Sequence, residues 1–91
     1  MTTNDKVIVY IRDYMDGHGF APSMEDIRKG VGLASKSTVF KHLDRLEAFG
    51  HIVRQPGKPR AMYITSSGRR ALTAIAPLHG IEPKAKRGEG V

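Results

Sequence analysis

Helix and strand breakers constrain this chain most. Gly17-His18-Gly19, Pro22, Gly30, Gly32, Gly50, the run Pro56-Gly57-Lys58-Pro59 and Pro77 follow one another at short intervals. Proline inside a helix removes a hydrogen bond and clashes with the preceding turn, and glycine there costs about 1 kcal/mol relative to alanine. The chain is therefore held to short elements. With 91 residues it makes one small domain with a modest core.

The segments between the breakers have clear periods. Asn4 or Asp5 can cap a first helix, in which Val7, Ile8, Ile11, Tyr14 and Met15 share a face while Arg12, Asp13 and Asp16 take the other. Gly17-His18-Gly19 ends it, and Pro22 keeps Ala21 extended. Ser23 opens a second, short helix with Glu25 and Asp26 in its first turn and Met24 and Ile27 inward. Gly30-Val31-Gly32-Leu33-Ala34 is predicted as a tight turn. Ser35 or Ser37 caps a third helix that ends at Phe49 before Gly50. Its Val39, Leu43 and Leu46 line one face, His42 and Phe49 the edge, and Ser37, Thr38, Lys41, Asp44, Arg45 and Ala48 the far face.

Residues 51–55 and 61–65 read as two strands around the basic Pro/Gly turn. Ser66 or Ser67 caps a last helix from Gly68 to about Ala76, and the Lys- and Gly-rich end is predicted to be disordered. The predicted fold is mainly α with a small β-hairpin: a winged helix-turn-helix of three helices and a two-stranded wing, with an extra C-terminal helix. The predicted organisation is 1–66 for the winged domain, 67–78 for the last helix and 79–91 for a flexible basic tail.

The charge is concentrated. Residues 35–70 carry eight basic side chains against two acidic ones, a balance of +6 that equals the formal net charge of the whole chain. A basic stripe of this kind suits a phosphate backbone or a solvated surface. The far face of the third helix is small, hydroxylated and basic near its N-terminus, chemistry that base edges and phosphates accept.

Other classes of function find little support. The apolar stretch from Val7 to Ile11 is far shorter than the about 20 residues that span a bilayer. Met1-Thr2-Thr3-Asn4-Asp5 has none of the regions of a signal peptide, so a cytoplasmic protein is expected. No cysteine is present, which excludes disulfides and thiolate chemistry. His18, His42, His51 and His79 form no close ligand pair, so no metal and no cofactor is expected. Gly17-His18-Gly19 lacks the third glycine of a dinucleotide site. No nucleophile elbow or triad motif is present, and Lys41 lies on an exposed face, so the chain is not read as an enzyme. No small-molecule ligand is evident.

Gly30-Val31-Gly32-Leu33-Ala34-Ser35-Lys36-Ser37-Thr38-Val39, followed by His42-Leu43-Asp44-Arg45-Leu46-Glu47, resembles the DNA-binding domain of the LexA repressor family, particularly in Gram-positive bacteria. Gly19-Phe20-Ala21-Pro22-Ser23 and Lys58-Pro59-Arg60-Ala61 share the likeness, which runs from about Asp5 to Thr65. The resemblance implies a three-helix winged domain whose helix from Ser35 enters the major groove of a palindromic operator of the damage-response (SOS) type. It implies base reading by Ser35, Ser37, Thr38, Phe40 and Lys41. Phe40 and Lys41 depart from the family pattern: Phe40 stands where a polar residue is usual, and Lys41 where a small or acidic one is. The family also carries a C-terminal domain that dimerises and cleaves its own chain with a serine-lysine pair. About 25 residues follow the wing here, too few for that domain, and the ending from Ser67 favours a natural stand-alone relative of bacterial or phage origin over a shortened chain.

The combined reading is a sequence-specific double-stranded DNA binder acting as a transcriptional repressor or regulator without self-cleavage. Lys36, Arg45, Arg54, Lys58, Arg60 and Arg69 are the expected phosphate ligands. The alternative is a winged-helix protein-interaction module, or a replication or architectural DNA-binding factor. Phe40 fits either a thymine methyl at the groove edge, or packing beside the first helix or a protein contact. Leu72 and Ile75 either pair two copies weakly or pack back onto the domain. Pairing formed only on DNA is a further route to a palindrome.

Overall fold

The computed structural model describes residues 2–55, 57 and 61–75. Its elements run α1 (Thr3–His18), α2 (Met24–Val31), α3 (Lys36–Ala48), β1 (Ile52–Arg54), β2 (Met62–Ile64) and α4 (Ser66–Ile75). The strands form an antiparallel pair with Ile52 opposite Ile64, Val53 opposite Tyr63 and Arg54 opposite Met62. This is the predicted winged helix-turn-helix with its additional helix.

The helices begin where side chains can satisfy their first amides. Thr2 and Asp5 form a capping box: the Asp5 amide donates to Thr2 Oγ1 at 3.1 Å and the Thr2 amide donates to Asp5 Oδ2 at 3.0 Å. The cap is thus Thr2, not Asn4 or Asp5, because Asp5 fills the reciprocal position of the box. Ser23 and Asp26 repeat the device at α2. Gly19 (φ 81°) and Gly32 (φ 84°) terminate these two helices in the left-handed conformation that glycine adopts without strain. The turn predicted from Gly30 begins later, since α2 continues through Val31. Gly30 is inside the helix, and the position takes glycine because a Cβ there would run into the Tyr10 ring of α1.

One core joins all the elements. α1 supplies Val7, Ile8 and Ile11, α2 supplies Ile27, and α3 supplies Val39, Leu43 and Leu46. The hairpin contributes Ile52, Met62 and Ile64 from its inner face. Val53 and Tyr63, the pair between them in the register, point outward. Phe49, predicted at the edge of the core, is 65% exposed at the C-cap of α3. At the other end of the molecule Tyr14 stacks on His18 with ring centroids 3.8 Å apart, and Phe20 meets Tyr14 edge-on at 5.9 Å.

α4 belongs to the same core. It packs on α1 and β2, and Leu72 is 3% exposed within the cluster, with Ile75 packed against it. Burial of Leu72 removes it from the surface on which two copies would meet. The helix starts earlier than expected, at Ser66, and Thr65 serves it where Ser66 or Ser67 was predicted. Thr65 Oγ1 accepts from the Gly68 amide at 3.0 Å and donates to the Gly50 carbonyl at 2.5 Å. The predicted end near Ala76 and the tail 79–91 lie outside the described residues.

Gly68 lets this helix seat. A Cβ at Gly68 would overlap the His51 carbonyl oxygen and stand 2.7 Å from Ile64 Cγ2. The carbonyl is itself fixed, because it accepts from the Thr65 amide at 3.0 Å. Gly68→Ala is expected to destabilise the domain by about 1–3 kcal/mol through overpacking. Gly17→Ala, in helical backbone with nothing within 4 Å of the new methyl, should stabilise by roughly 0.5–1 kcal/mol. Urea melts of the two variants check both signs. Equal midpoints for Gly68→Ala and the parent would mean α4 does not seat on the hairpin.

Candidate nucleic-acid interface

The rotation of α3 decides what the domain shows to a partner. Val39 and Leu43 are fully buried and Leu46 is 3% exposed. With that stripe inward, Lys36, Ser37, Phe40, Lys41, Asp44 and Arg45 are exposed. Ser37 and Lys41 are one turn apart, and Phe40, 51% exposed, lies beside them. At the helix start, Ser35 Oγ accepts from the Thr38 amide at 3.4 Å and lies 3.2 Å from Thr38 Oγ1. Ser35, not Ser37, is therefore the cap, which leaves the Ser37 hydroxyl outside the helix-start bonding.

The first turn of α3 differs from those of its neighbours. α1 and α2 carry acidic side chains there, whereas α3 carries none and opens with Lys36. A helix N-terminus is the positive end of the peptide dipoles and ordinarily favours negative side chains. With a cation in that turn instead, the local field favours an external anion.

Polar ties fix α3 to the rest of the fold. The His42 Nδ1–H donates to Asn4 Oδ1 of α1. Burial lowers the His42 pKa below its ordinary value, and the charges of Arg45 and Lys41 lower it further. On α2, Arg28 forks onto Glu25, with Nε–Oε1 2.8 Å and Nη2–Oε2 2.7 Å, and donates to the Leu33 carbonyl at 3.4 Å. This bridges the turn that leads into α3. The hydrogen bond from Arg28, with the positive charges of Arg28, Lys29 and Lys36, holds the Glu25 carboxyl down to about 2 against a smaller opposing effect of burial.

Arg54 is placed differently from the other predicted phosphate ligands. Its Nη2 donates to Asp44 Oδ1 at 2.5 Å and to Glu47 Oε1 at 2.8 Å, and its Nε donates to Glu47 Oε1 at 3.1 Å. Its backbone amide also donates to Glu47 Oε2 at 3.3 Å. Burial alone would lower its pKa, but the hydrogen bonds and charges of Glu47 and Asp44 outweigh that and raise it. Lys36 and Arg45 are exposed on α3. Arg69 is exposed on α4, whose main packing partners are α1 and β2. Lys58 and Arg60 lie outside the described residues.

The geometry thus gathers Lys36, Ser37, Phe40, Lys41 and Arg45 on one exposed face and puts Ser35 and Thr38 at its capped end. Sequence reasoning missed the Asn4–His42 tie and the Arg54–Asp44–Glu47 cluster, for which no local pattern exists. It could have found the Glu25–Arg28 pair, which has ordinary helical spacing. Among the described residues no group of three or more His, Cys, Asp or Glu side chains could hold a metal ion. Among them, too, no helix is long and apolar enough to cross a membrane.

Comparison with known proteins covers most of this architecture. The profile of the LexA DNA binding domain matches residues 2–61. The LexA repressor of Lactobacillus delbrueckii subsp. bulgaricus is 41% identical over 88 residues, covering 92% of this chain and 39% of its own length. That of Shouchella clausii is 47% identical over 64 residues, covering 70% and 31%. That of Carboxydothermus hydrogenoformans is 43% identical over 75 residues, covering 82% and 37%. The chain spans about two fifths or less of the length of these curated relatives.

The His42 tie gives the domain an acid dependence of defined sign. The folded state holds His42 below the ordinary value of 6.5, so on acidification the unfolded chain takes up this proton first. The stability it contributes is present above about pH 6.5 and is lost as pH falls from there through the lowered folded value. His42→Gln, which can still donate to Asn4, should show a flatter loss of stability between about pH 7.5 and 5 in urea melts. An identical acid slope in the variant and the parent would exclude His42 as its source.

Proposed function

This chain belongs to the LexA DNA-binding domain family, and on that premise we propose that it binds double-stranded operator DNA as a repressor-type transcriptional regulator, with α3 lying in the major groove. The observation that carries this reading is the exposed face of α3, polar and cationic opposite a buried stripe. Ser37, Lys41, Phe40 and the hydroxyls of Ser35 and Thr38 face base edges. Hydroxyls and an ammonium suit base-edge acceptors, and an aromatic ring suits the thymine methyl. Lys36, Arg45 and Arg69, with Lys58 and Arg60 from the segment between the two strands in sequence, neutralise phosphates. The names of the relatives support repression: each is a LexA repressor.

One chain offers one reading helix and so covers one half-site. A palindromic operator takes two copies related by the dyad of the DNA. Leu72 lies in the core, so it is not the contact that pairs the two copies.

Selection of duplexes from a random pool, followed by affinity measurements over a salt series, tests the proposal. Log affinity should fall steeply with log salt, by about 0.9 for each phosphate neutralised. Ser37→Ala should lose discrimination against a mismatched base pair, worth roughly 1–3 kcal/mol, while keeping most of its affinity for unselected DNA. Lys41→Ala should weaken the selected duplex as well. A flat salt dependence, with no duplex enriched over the pool, would point instead to a protein-interaction module.

A further inference from the structure

The cluster around Arg54 carries an inference beyond contact with DNA. Arg54 ends β1, directly before the wing turn, and Asp44 and Glu47 project from α3. The Arg54 side chain is 22% exposed, while the Asp44 side chain is 69% exposed and Glu47 38%. Glu47 holds Arg54 at three points: both Nε and Nη2 donate to Oε1, and the backbone amide donates to Oε2. Asp44 takes Nη2 as a second acceptor at 2.5 Å. The backbone of β1 is therefore fixed to α3 at the point where the wing leaves the domain. Beyond this point the strands are joined by the Gln55 amide donating to the Ala61 carbonyl at 2.9 Å.

Asp44 stands on the exposed face of α3, among Lys41 and Arg45. A carboxylate there would repel phosphates. Its pairing with Arg54 offsets that charge and spends the guanidinium on it. We propose that Arg54, Glu47 and Asp44 form a latch that sets the angle between the wing and α3, so that Arg54 is a positioning residue for DNA binding and not a phosphate ligand. This rests on the operator-binding reading above. Within it, the latch makes two carboxylates favourable for binding a polyanion, the reverse of their ordinary effect. The geometry also requires arginine: one planar group satisfies two carboxylates, a task that the point charge of lysine does not match.

The test measures affinity for the selected duplex in the parent and in Arg54→Lys, Glu47→Gln, Asp44→Asn and the Arg54→Lys/Glu47→Gln double variant, with a thermal melt of each. The latch predicts that each single variant binds more weakly, on the order of ten-fold for Arg54→Lys and Glu47→Gln and less for Asp44→Asn. The double variant should be no weaker than Arg54→Lys alone, because both changes open the same contact. If Arg54 instead releases its partners to hold a phosphate, Glu47→Gln and Asp44→Asn bind more tightly and Arg54→Lys keeps its affinity. Either of those results overturns the latch. Asp44→Asn alters an exposed side chain, so it carries the test if Glu47→Gln does not fold. No binding of any duplex by the parent would defeat the operator reading itself. Parent binding with unchanged or tighter carboxylate variants would leave that reading intact and remove the latch alone.

Discussion

The burial of Val39, Leu43 and Leu46 is the constraint on which the rest of this domain depends. The three side chains of α3 meet α1, α2 and the hairpin in one cluster. Burying each is worth roughly 1.5–3 kcal/mol. An exposed ion pair contributes about 0–1 kcal/mol. The apolar stripe therefore sets the rotation of α3, and the polar groups accept the consequence. Turning the helix by one residue, about 100°, would carry Phe40, Asp44 and Glu47, or in the other sense Thr38, His42 and Arg45, into the place of that stripe and expose Leu43. The face that shows Ser37, Phe40, Lys41 and Arg45 is thus a product of core packing.

The polar ties act at the margins of that core and have a different role. Asn4 with His42, Arg28 with Glu25 and the Leu33 carbonyl, and Arg54 with Glu47 and Asp44 each join two parts of the fold that apolar contact leaves adjustable. The first fixes the start of α1 against the middle of α3. The second closes the turn before α3, and the third fixes the base of the wing. They add little to the total stability, yet directional bonds define angles where packing alone permits several. A surface that must match the spacing of DNA grooves and phosphates needs such angles.

Much of this was legible in the sequence because it is local. The apolar period of α3, the glycine stop after α1, the Ser23 cap and the two strands flanking Pro56-Gly57 each rest on residues a few positions apart. The errors came from competition between local signals and tertiary contact. Gly30 looked like part of a turn, but α2 runs through it, and glycine is needed there because the Tyr10 ring fills the space a side chain would take. Asn4 looked like a cap, and is instead the partner of His42, 38 residues away. The contacts of Arg54 with Glu47 and Asp44 have no sign in its sequence neighbours. The exposed face of α3 was visible from its periodicity. The division of labour within it, with Ser35 and Thr38 bonded together and Ser37 left outside, needed coordinates.

The central claim is that α3, held by its buried stripe, presents the DNA-reading surface. Titration of the isotope-labelled chain with its selected palindromic duplex, followed by amide NMR shifts, tests it most directly. The largest changes should fall on residues 35–45 and on the hairpin. The amides of Tyr14 and His18, about 15–21 Å along the α1 axis from Asn4, and of Phe20 just beyond that helix, should stay in place. Changes centred on Tyr14, His18 and Phe20, with the outer face of α3 unmoved, would contradict it.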